Sequence, residues 1–245
     1  MFLVDKRLGN YTRLDPEGIL TVSETNRYWI SGIPEEAQIN WMCVTFGSAT
    51  AAALDIGAHC GTWTVSLSKV FKKVYSFEPN PTVYNVLCAN LALRGQQNVF
   101  TSRKALSSAQ GVAKYFFRSD DGGGNGIENL NPIIDSQVPS CTVKTATLDQ
   151  WVCGERESLP IKFIKIDVEG HELDVLRGAV QTIERFKPAI VLESWHEFRE
   201  QDGIPAKALQ EALFNFVQND LGYDMRPING HFEMFLCTPQ ICKIG

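Results

Sequence analysis

From residue 51 onward the chain alternates short apolar runs with longer stretches whose apolar side chains recur every three or four positions. The runs suit strands buried on both faces and the stretches suit amphipathic helices. Their alternation predicts repeated β-α units around a mostly parallel sheet, an α/β fold. Residues 51–56, 73–77, 98–104, 161–166 and 188–193 read as core strands, and 62–71, 81–93, 148–152 and 172–186 as helices. In the last helix Leu173, Leu176, Val180 and Ile183 keep the spacing of one buried face. Residues 113–117 and 141–144 are β-like, and a helix over 206–219 followed by a strand pair at 223–226 and 232–237 is expected to complete the sheet. The first fifty residues are irregular, with strand-like fragments at 18–22 and 27–30 and a helix over 34–46, and are expected to form a lid or an extra layer. The rhythm also breaks at Ser119-Asp-Asp-Gly-Gly-Gly-Asn-Gly126. That stretch is too rich in glycine for regular structure, and it predicts an active-site loop.

Nothing in the pattern marks a linker, a repeat or a second core, so the 245 residues are expected to form one domain: a lid over 1–50, a core over 51–200, and a helix with its strand pair over 201–245. Charge narrows the function. Lys plus Arg total 23 against 28 acidic residues, a net charge of −5, which disfavours a domain devoted to holding nucleic-acid phosphates. No apolar run is long enough to span a bilayer. The seven cysteines are scattered, without a Cys-x-x-Cys pair, and read as buried thiols of a reducing compartment, so a cytoplasmic location is expected.

Two motifs carry chemistry. In the first, Asp55-Ile-Gly57-Ala-His59-Cys-Gly61 follows an apolar strand and precedes a helix. It lacks the Gly-x-Gly-x-x-Gly of dinucleotide folds and the Gly-Lys-[Ser/Thr] of a P-loop. A carboxylate before the first glycine is unsuited to a diphosphate but suits an ammonium group, which points to S-adenosylmethionine. Glu78, in Ser76-Phe-Glu-Pro-Asn80, stands where a carboxylate accepts the hydrogen bonds of a ribose diol. Ala105, after the third strand, is placed to line the adenine. The predicted cofactor set is Asp55, Gly57, His59, Gly61, Glu78, Asn80 and Ala105.

The second motif is Lys165-Ile-Asp167-Val-Glu169-Gly170-His171-Glu172, at a strand's carboxyl end, where open α/β sheets bind ligands. Strand alternation puts Lys165 and Asp167 on one side. Lys165 reads either as a member of the reaction centre or as a paired structural charge. The next strand ends in Glu193-Ser-Trp195-His196, and His196 could accept a hydroxyl proton.

Taken together, Asp55-Ile-Gly-Ala-His-Cys-Gly61, Phe77-Glu-Pro-Asn80, Thr147-Leu-Asp149, Lys165-Ile-Asp-Val-Glu-Gly-His-Glu172 and Leu176-Arg-Gly-Ala179 resemble the FkbM-type methyltransferases over about residues 50 to 196. Family members usually carry asparagine where this chain has His59. The resemblance implies a Rossmann-like class I methyltransferase fold, S-adenosylmethionine as donor and a hydroxyl as acceptor. Many relatives act on sugars or polyketide products, and some are joined to glycosyltransferase domains. A small molecule or glycan is therefore the expected acceptor, with a glycosyltransferase as a candidate partner.

Methyl transfer is an in-line displacement at carbon, so the protein must align the acceptor oxygen and take its proton. The candidate catalytic residues are Asp167 as base, Glu169 and His196 as reserves, and Lys165. An alternative mechanism has Asp167, Glu169 and Glu193 hold magnesium or manganese beside a sugar diol. RNA ribose methylation and a non-catalytic carbohydrate-binding module are the competing functions.

Overall fold

The computed structural model describes residues 36–118, 124–127, 135–155, 158–194, 203–229 and 233–240, and the backbone of two short strands near the start. Those strands, β1 (Arg13–Leu14) and β2 (Leu20–Thr21), pair antiparallel; the fragment expected at 27–30 lies outside the described residues. Helix α1 (Glu36–Phe46) buries Ile39, Met42 and Cys43. The chain then runs through β3 (Ser48–Ile56), α2 (Thr62–Ser68), β4 (Phe71–Phe77), α3 (Pro81–Leu93) and β5 (Val99–Ser102). Three strands follow, β6 (Ala105–Leu106), β7 (Gly111–Phe116) and β8 (Ser140–Ala146), and then α4 (Leu148–Glu155). The second half is built from β9 (Ile161–Ile166), α5 (Glu172–Arg177), α6 (Val180–Phe186), β10 (Ala189–Glu193), α7 (Ala206–Asn215) with a wider π turn (Phe216–Asp220), β11 (Tyr223–Pro227) and β12 (Met234–Pro239).

The central sheet has seven strands in the order β11-β12-β10-β9-β3-β4-β5. Its five strands from β10 to β5 are parallel, and β12 and β11 close one side antiparallel. The fold is thus an α/β sandwich on a mostly parallel sheet. Alternation along β3 explains the two layers: Ala52, Leu54 and Ile56 face one core with Leu148, Val175, Ile183 and Leu213, whereas Ala51 and Ala53 face another with Met42, Trp63 and Leu67. Each large side chain buried in this way contributes roughly 1.5–3 kcal/mol.

Three expectations need correction. The strand read over 98–104 is two strands: β5 ends at Ser102, and after exposed Arg103 and Lys104 the chain enters a separate three-stranded sheet, β6-β8-β7. The single helix over 172–186 is broken between α5 and α6, because Gly178 packs so closely that a Cβ there would lie 2.1 Å from the Ser107 carbonyl oxygen. The side chain of Asp149 begins α6 anew, accepting N–H from Gln181 and Thr182 at 3.1 and 2.8 Å. Finally, the helix expected to reach 219 stops at Asn215 and widens into the π turn.

Chain order in the parallel part reverses at β3. Its successors β4 and β5 extend the sheet one way, and β9 and β10 extend it the other. Such a reversal leaves a crevice outside the carboxyl ends of the two central strands.

Candidate active site at the carboxyl ends of β3 and β9

Ile56 and Ile166 are register partners at the ends of β3 and β9, so Gly57 and Asp167 open neighbouring turns. The Asp167 N–H donates to the Ile56 carbonyl at 3.0 Å. Gly57 has φ +78°, and a Cβ there would stand 1.7 Å from the Asp167 carbonyl oxygen. The first glycine of the loop is therefore demanded by the backbone of the neighbouring turn.

His59 is also left-handed, with φ 50°, a region that Asn, Asp and His enter more readily than most side chains. That conformation aims its N–H at Glu78 Oε2, 2.8 Å away, while Glu78 Oε1 accepts the Asn80 N–H at 2.9 Å. Glu78 is buried, and burial pushes its carboxyl up to about 7 against the lowering effect of those two hydrogen bonds. Asn80 acts as the cap of α3, its Oδ1 accepting from the N–H groups of Thr82 and Val83.

Asp55 lies beneath this loop, fully buried. Its Oδ2 accepts from the Thr64 hydroxyl at 2.5 Å, Thr64 pairs with Ser76 at 2.8 Å, and Oδ1 is 3.6 Å from Lys165 Nζ. Burial raises the Asp55 carboxyl, opposed chiefly by Lys165. Lys165 is 3% exposed, donates to the Gly57 carbonyl at 2.7 Å and reaches Asp167 Oδ2 at 3.2 Å. Lys165 thus stands between the buried Asp55 and the more exposed Asp167, paired with both. Asp167 is the outermost member of the chain of polar groups, with 29% of its side chain exposed.

The turn after β9 is held by Glu172, whose Oε1 accepts the N–H groups of Val168 and Gly170 at 3.0 and 3.2 Å. Burial pushes Glu172 up to about 7. The turn forces Glu169 into a left-handed conformation at φ 58°, and its carboxylate accepts the Gly124 N–H at 2.7 Å. This contact brings the described part of the glycine-rich stretch, residues 124–127, onto the acidic turn. The stretch is anchored there from its other side: Arg118 donates to the Gly124 carbonyl and makes a two-pronged ion pair with Asp135, and Asn125 Oδ1 accepts the Arg118 N–H.

At the end of β10, Glu193 completes an acidic triangle: one carboxylate oxygen each from Asp167, Glu169 and Glu193 lie within 4.8 Å of one another. Glu193 is pushed well above the usual carboxylate range by burial and then by the charges of Asp167, Glu169, Glu172 and Glu233. Its Oε2 is buried without a hydrogen-bond partner among the described residues.

Ala105 lies in β6, buried against Tyr115 and Val143 in the small sheet. His171 pairs through Nε2 with the Ser107 hydroxyl at 3.0 Å, tying that sheet to the start of α5. His196 falls outside the described residues. The fold thus draws Gly57, His59 and Glu78 into one cluster and Asp167, Glu169 and Glu193 into another, with Lys165 between them and Asp55 below. Sequence reasoning did not single out Tyr115, whose hydroxyl donates to the Asn125 carbonyl at 3.3 Å and is pushed well above the usual tyrosine range by burial and then by the charges of Glu78 and Glu169. The available signal was a tyrosine in the β-like run leading into the glycine-rich stretch.

The profile of the Methyltransferase FkbM domain matches residues 55–226. The hexuronic acid methyltransferase AglP of Haloferax volcanii is 32% identical over 137 residues, covering 56% of this chain and 53% of that protein. The methyltransferase sdnD of Sordaria araneosa is 27% identical over 201 residues, 70% of this chain and 73% of that one. The chain spans about half the length of the Haloferax relative. Among solved structures, Methyltransferase FkbM from Methylobacillus flagellatus KT superposes with a TM-score of 0.51 at 16% identity, over 78% of this chain and 44% of that one. This likeness supports the Rossmann-like architecture.

Proposed function

The chain belongs to the FkbM methyltransferase family, and from that premise we propose that it moves the methyl group of S-adenosylmethionine to an oxygen of a sugar or glycan, with Asp167 as the base. The observation that carries this reading is the position of Asp167: a partly exposed carboxylate at the reversal point of the sheet, beside the glycine turn, with a buried lysine 3.2 Å away. In the proposed step the acceptor oxygen forms its bond to the methyl carbon as the carbon–sulfur bond breaks. The bonding pair stays on sulfur, and the hydroxyl proton passes to Asp167.

Cofactor binding is assigned to the turn from Gly57 to Gly61 and to Glu78. Each Glu78 oxygen already accepts one main-chain N–H and keeps lone-pair capacity for a ribose hydroxyl. The fully buried Asp55 acts in this reading through Lys165 and the loop backbone rather than by touching the cofactor amine. Gly61, Asn80 and Ala105 shape the pocket, as a turn, a helix cap and a wall. Glu169 stands in reserve as base.

The sugar assignment rests on the name of the Haloferax relative and on the net charge of −5, which disfavours a domain devoted to holding RNA phosphates. The acceptor is then a small molecule or glycan, and a glycosyltransferase that builds it is the natural partner. No helix among the described residues is long and apolar enough to cross a membrane. The six cysteines among the described residues are thiols rather than disulfides, which suits the cytoplasm.

The test is Asp167→Asn, assayed with S-adenosylmethionine and a panel of neutral and uronic-acid glycosides. Turnover should fall at least about 100-fold while the variant stays folded and binds cofactor as before. Near-normal turnover would move the role of base to Glu169. Failure of the unaltered chain to methylate any glycoside would remove the sugar assignment.

A further inference from the structure

We propose that Asp167, Glu169 and Glu193 bind one divalent cation of the magnesium or manganese class, and that methyl transfer requires it to hold two neighbouring oxygens of the acceptor. The inference deepens the proposed reaction and rests on it for the identity of the acceptor.

The three carboxylates come from different elements: Asp167 directly after β9, Glu169 from the following turn, and Glu193 from the end of β10. Their ligand oxygens nevertheless converge within 4.8 Å of one another. Mutual repulsion makes such convergence unfavourable for ionised groups unless a proton or a cation sits among them. Lys165 Nζ lies on the inner side of Asp167, on Oδ2, where it also contacts Asp55 and the Gly57 carbonyl.

A second observation is independent of the clustering. Glu193 Oε2 is buried and has no hydrogen-bond partner among the described residues. A buried polar oxygen in that condition is costly, and more so if charged, so natural sites seldom keep one without an occupant that satisfies it. A cation in the triangle would do so.

The ligand cage is also built in advance. Glu169 is fixed by its left-handed backbone at φ 58°, by the Glu172 clamp on the turn and by the Gly124 N–H on its carboxylate. Three carboxylates without nitrogen or sulfur donors suit a hard cation. Three protein ligands leave coordination positions for two acceptor oxygens and water, which a diol or a hydroxy acid can fill. The same cation would offset the repulsion an acidic sugar meets at this rim.

The experiment uses the whole chain, stripped with chelator and titrated with manganese(II) alone, reading the free-ion signal by electron paramagnetic resonance with neither methyl donor nor acceptor present. One saturable site per chain is expected, weakened at least tenfold in Glu193→Gln and in Glu169→Gln, with both variants shown folded by circular dichroism. Stripping should lower turnover of the unaltered chain at least tenfold, and magnesium or manganese should restore it. Absence of saturable binding at millimolar manganese overturns the proposal. So does binding indifferent to both variants, or full turnover in chelator. Because the titration needs no acceptor, a chain that binds manganese through these residues yet methylates no sugar would sink the sugar reading and leave the cation site standing.

Discussion

The turn after β3 and the turn after β9 are each closed by a buried glutamate: Glu78 gathers the N–H groups of His59 and Asn80, and Glu172 those of Val168 and Gly170. Each turn contains a left-handed residue that is not glycine, His59 at φ 50° and Glu169 at φ 58°, and in each burial pushes the closing carboxyl up to about 7. What they present differs. The first turn keeps its aspartate fully buried and offers main chain, glycine and the edge of Glu78. The second sends Asp167 and Glu169 outward to meet Glu193. One backbone device, used twice side by side, thus serves a surface suited to holding a cofactor and a surface suited to handling a proton or a cation. The side chains that face outward decide which.

The largest expected effect comes from destroying the contact between the two turns. Gly57→Ala places a Cβ 1.7 Å from the Asp167 carbonyl oxygen in a left-handed conformation, so denaturant unfolding should show a loss above about 4 kcal/mol. Gly61→Ala, whose Cβ crowds the tip of Leu87 at 2.7 Å and otherwise makes only an ordinary contact with Thr64 Cβ at 3.9 Å, should cost roughly 1–3 kcal/mol. Equal losses would mean that the contact between the turns is not what Gly57 supplies.

A smaller change separates the two surfaces. Glu78→Ala should weaken S-adenosylmethionine binding by about 1–3 kcal/mol in calorimetry, whereas Asp167→Asn should leave that affinity unchanged. A cofactor that ignores Glu78 but responds to Asp167 would reverse the assignment of the two turns.

The smallest effect concerns pH. Glu172 is raised from 4.5 to about 7, so between those values the folded chain holds a proton that the unfolded chain has released. Its stabilisation is complete below about pH 4.5 and is lost as pH rises through about 7. Glu172→Gln keeps the carbonyl that accepts the two N–H groups and removes the titration. Stability plotted from pH 5 to 7 should therefore fall less steeply in the variant, by at most about 1.4 kcal/mol per pH unit. An unchanged slope would show that Glu172 does not titrate in this window.

Where local signals agreed, the fold was legible from the chain. Helix α3 begins at Pro81 behind its Asn80 cap, and β9 is a mostly apolar run interrupted by Lys162 and Lys165; both have the expected bounds. The break at Gly178 was hidden because Leu173, Leu176, Val180 and Ile183 keep one helical period across it, and only the packing of Ser107 interrupts the backbone. The small sheet was hidden for a similar reason, since β6 finds its partner in distant β8. At the candidate site, position along the sheet identified Asp167, Glu169 and Glu78 as residues of interest. Spacing could not show that Glu193 converges with the first two, because that depends on β9 and β10 lying in parallel register. Nor could it show that Asp55 turns inward to Lys165 and Thr64.

The pairing of Asp55 with Lys165 also constrains how a lineage carrying this fold can change. Losing Lys165 alone strands Asp55 as a buried charge, at a cost of about 3–5 kcal/mol, whereas exchanging both for apolar residues is often tolerated by the fold. A route to that exchange that begins at Lys165 therefore crosses an unstable intermediate sequence. Its end point would also lack the ammonium group that stands 3.2 Å from Asp167. Stability opposes the loss of Lys165 and the loss of that neighbour opposes the exchange of both, so the structure favours keeping the two residues together.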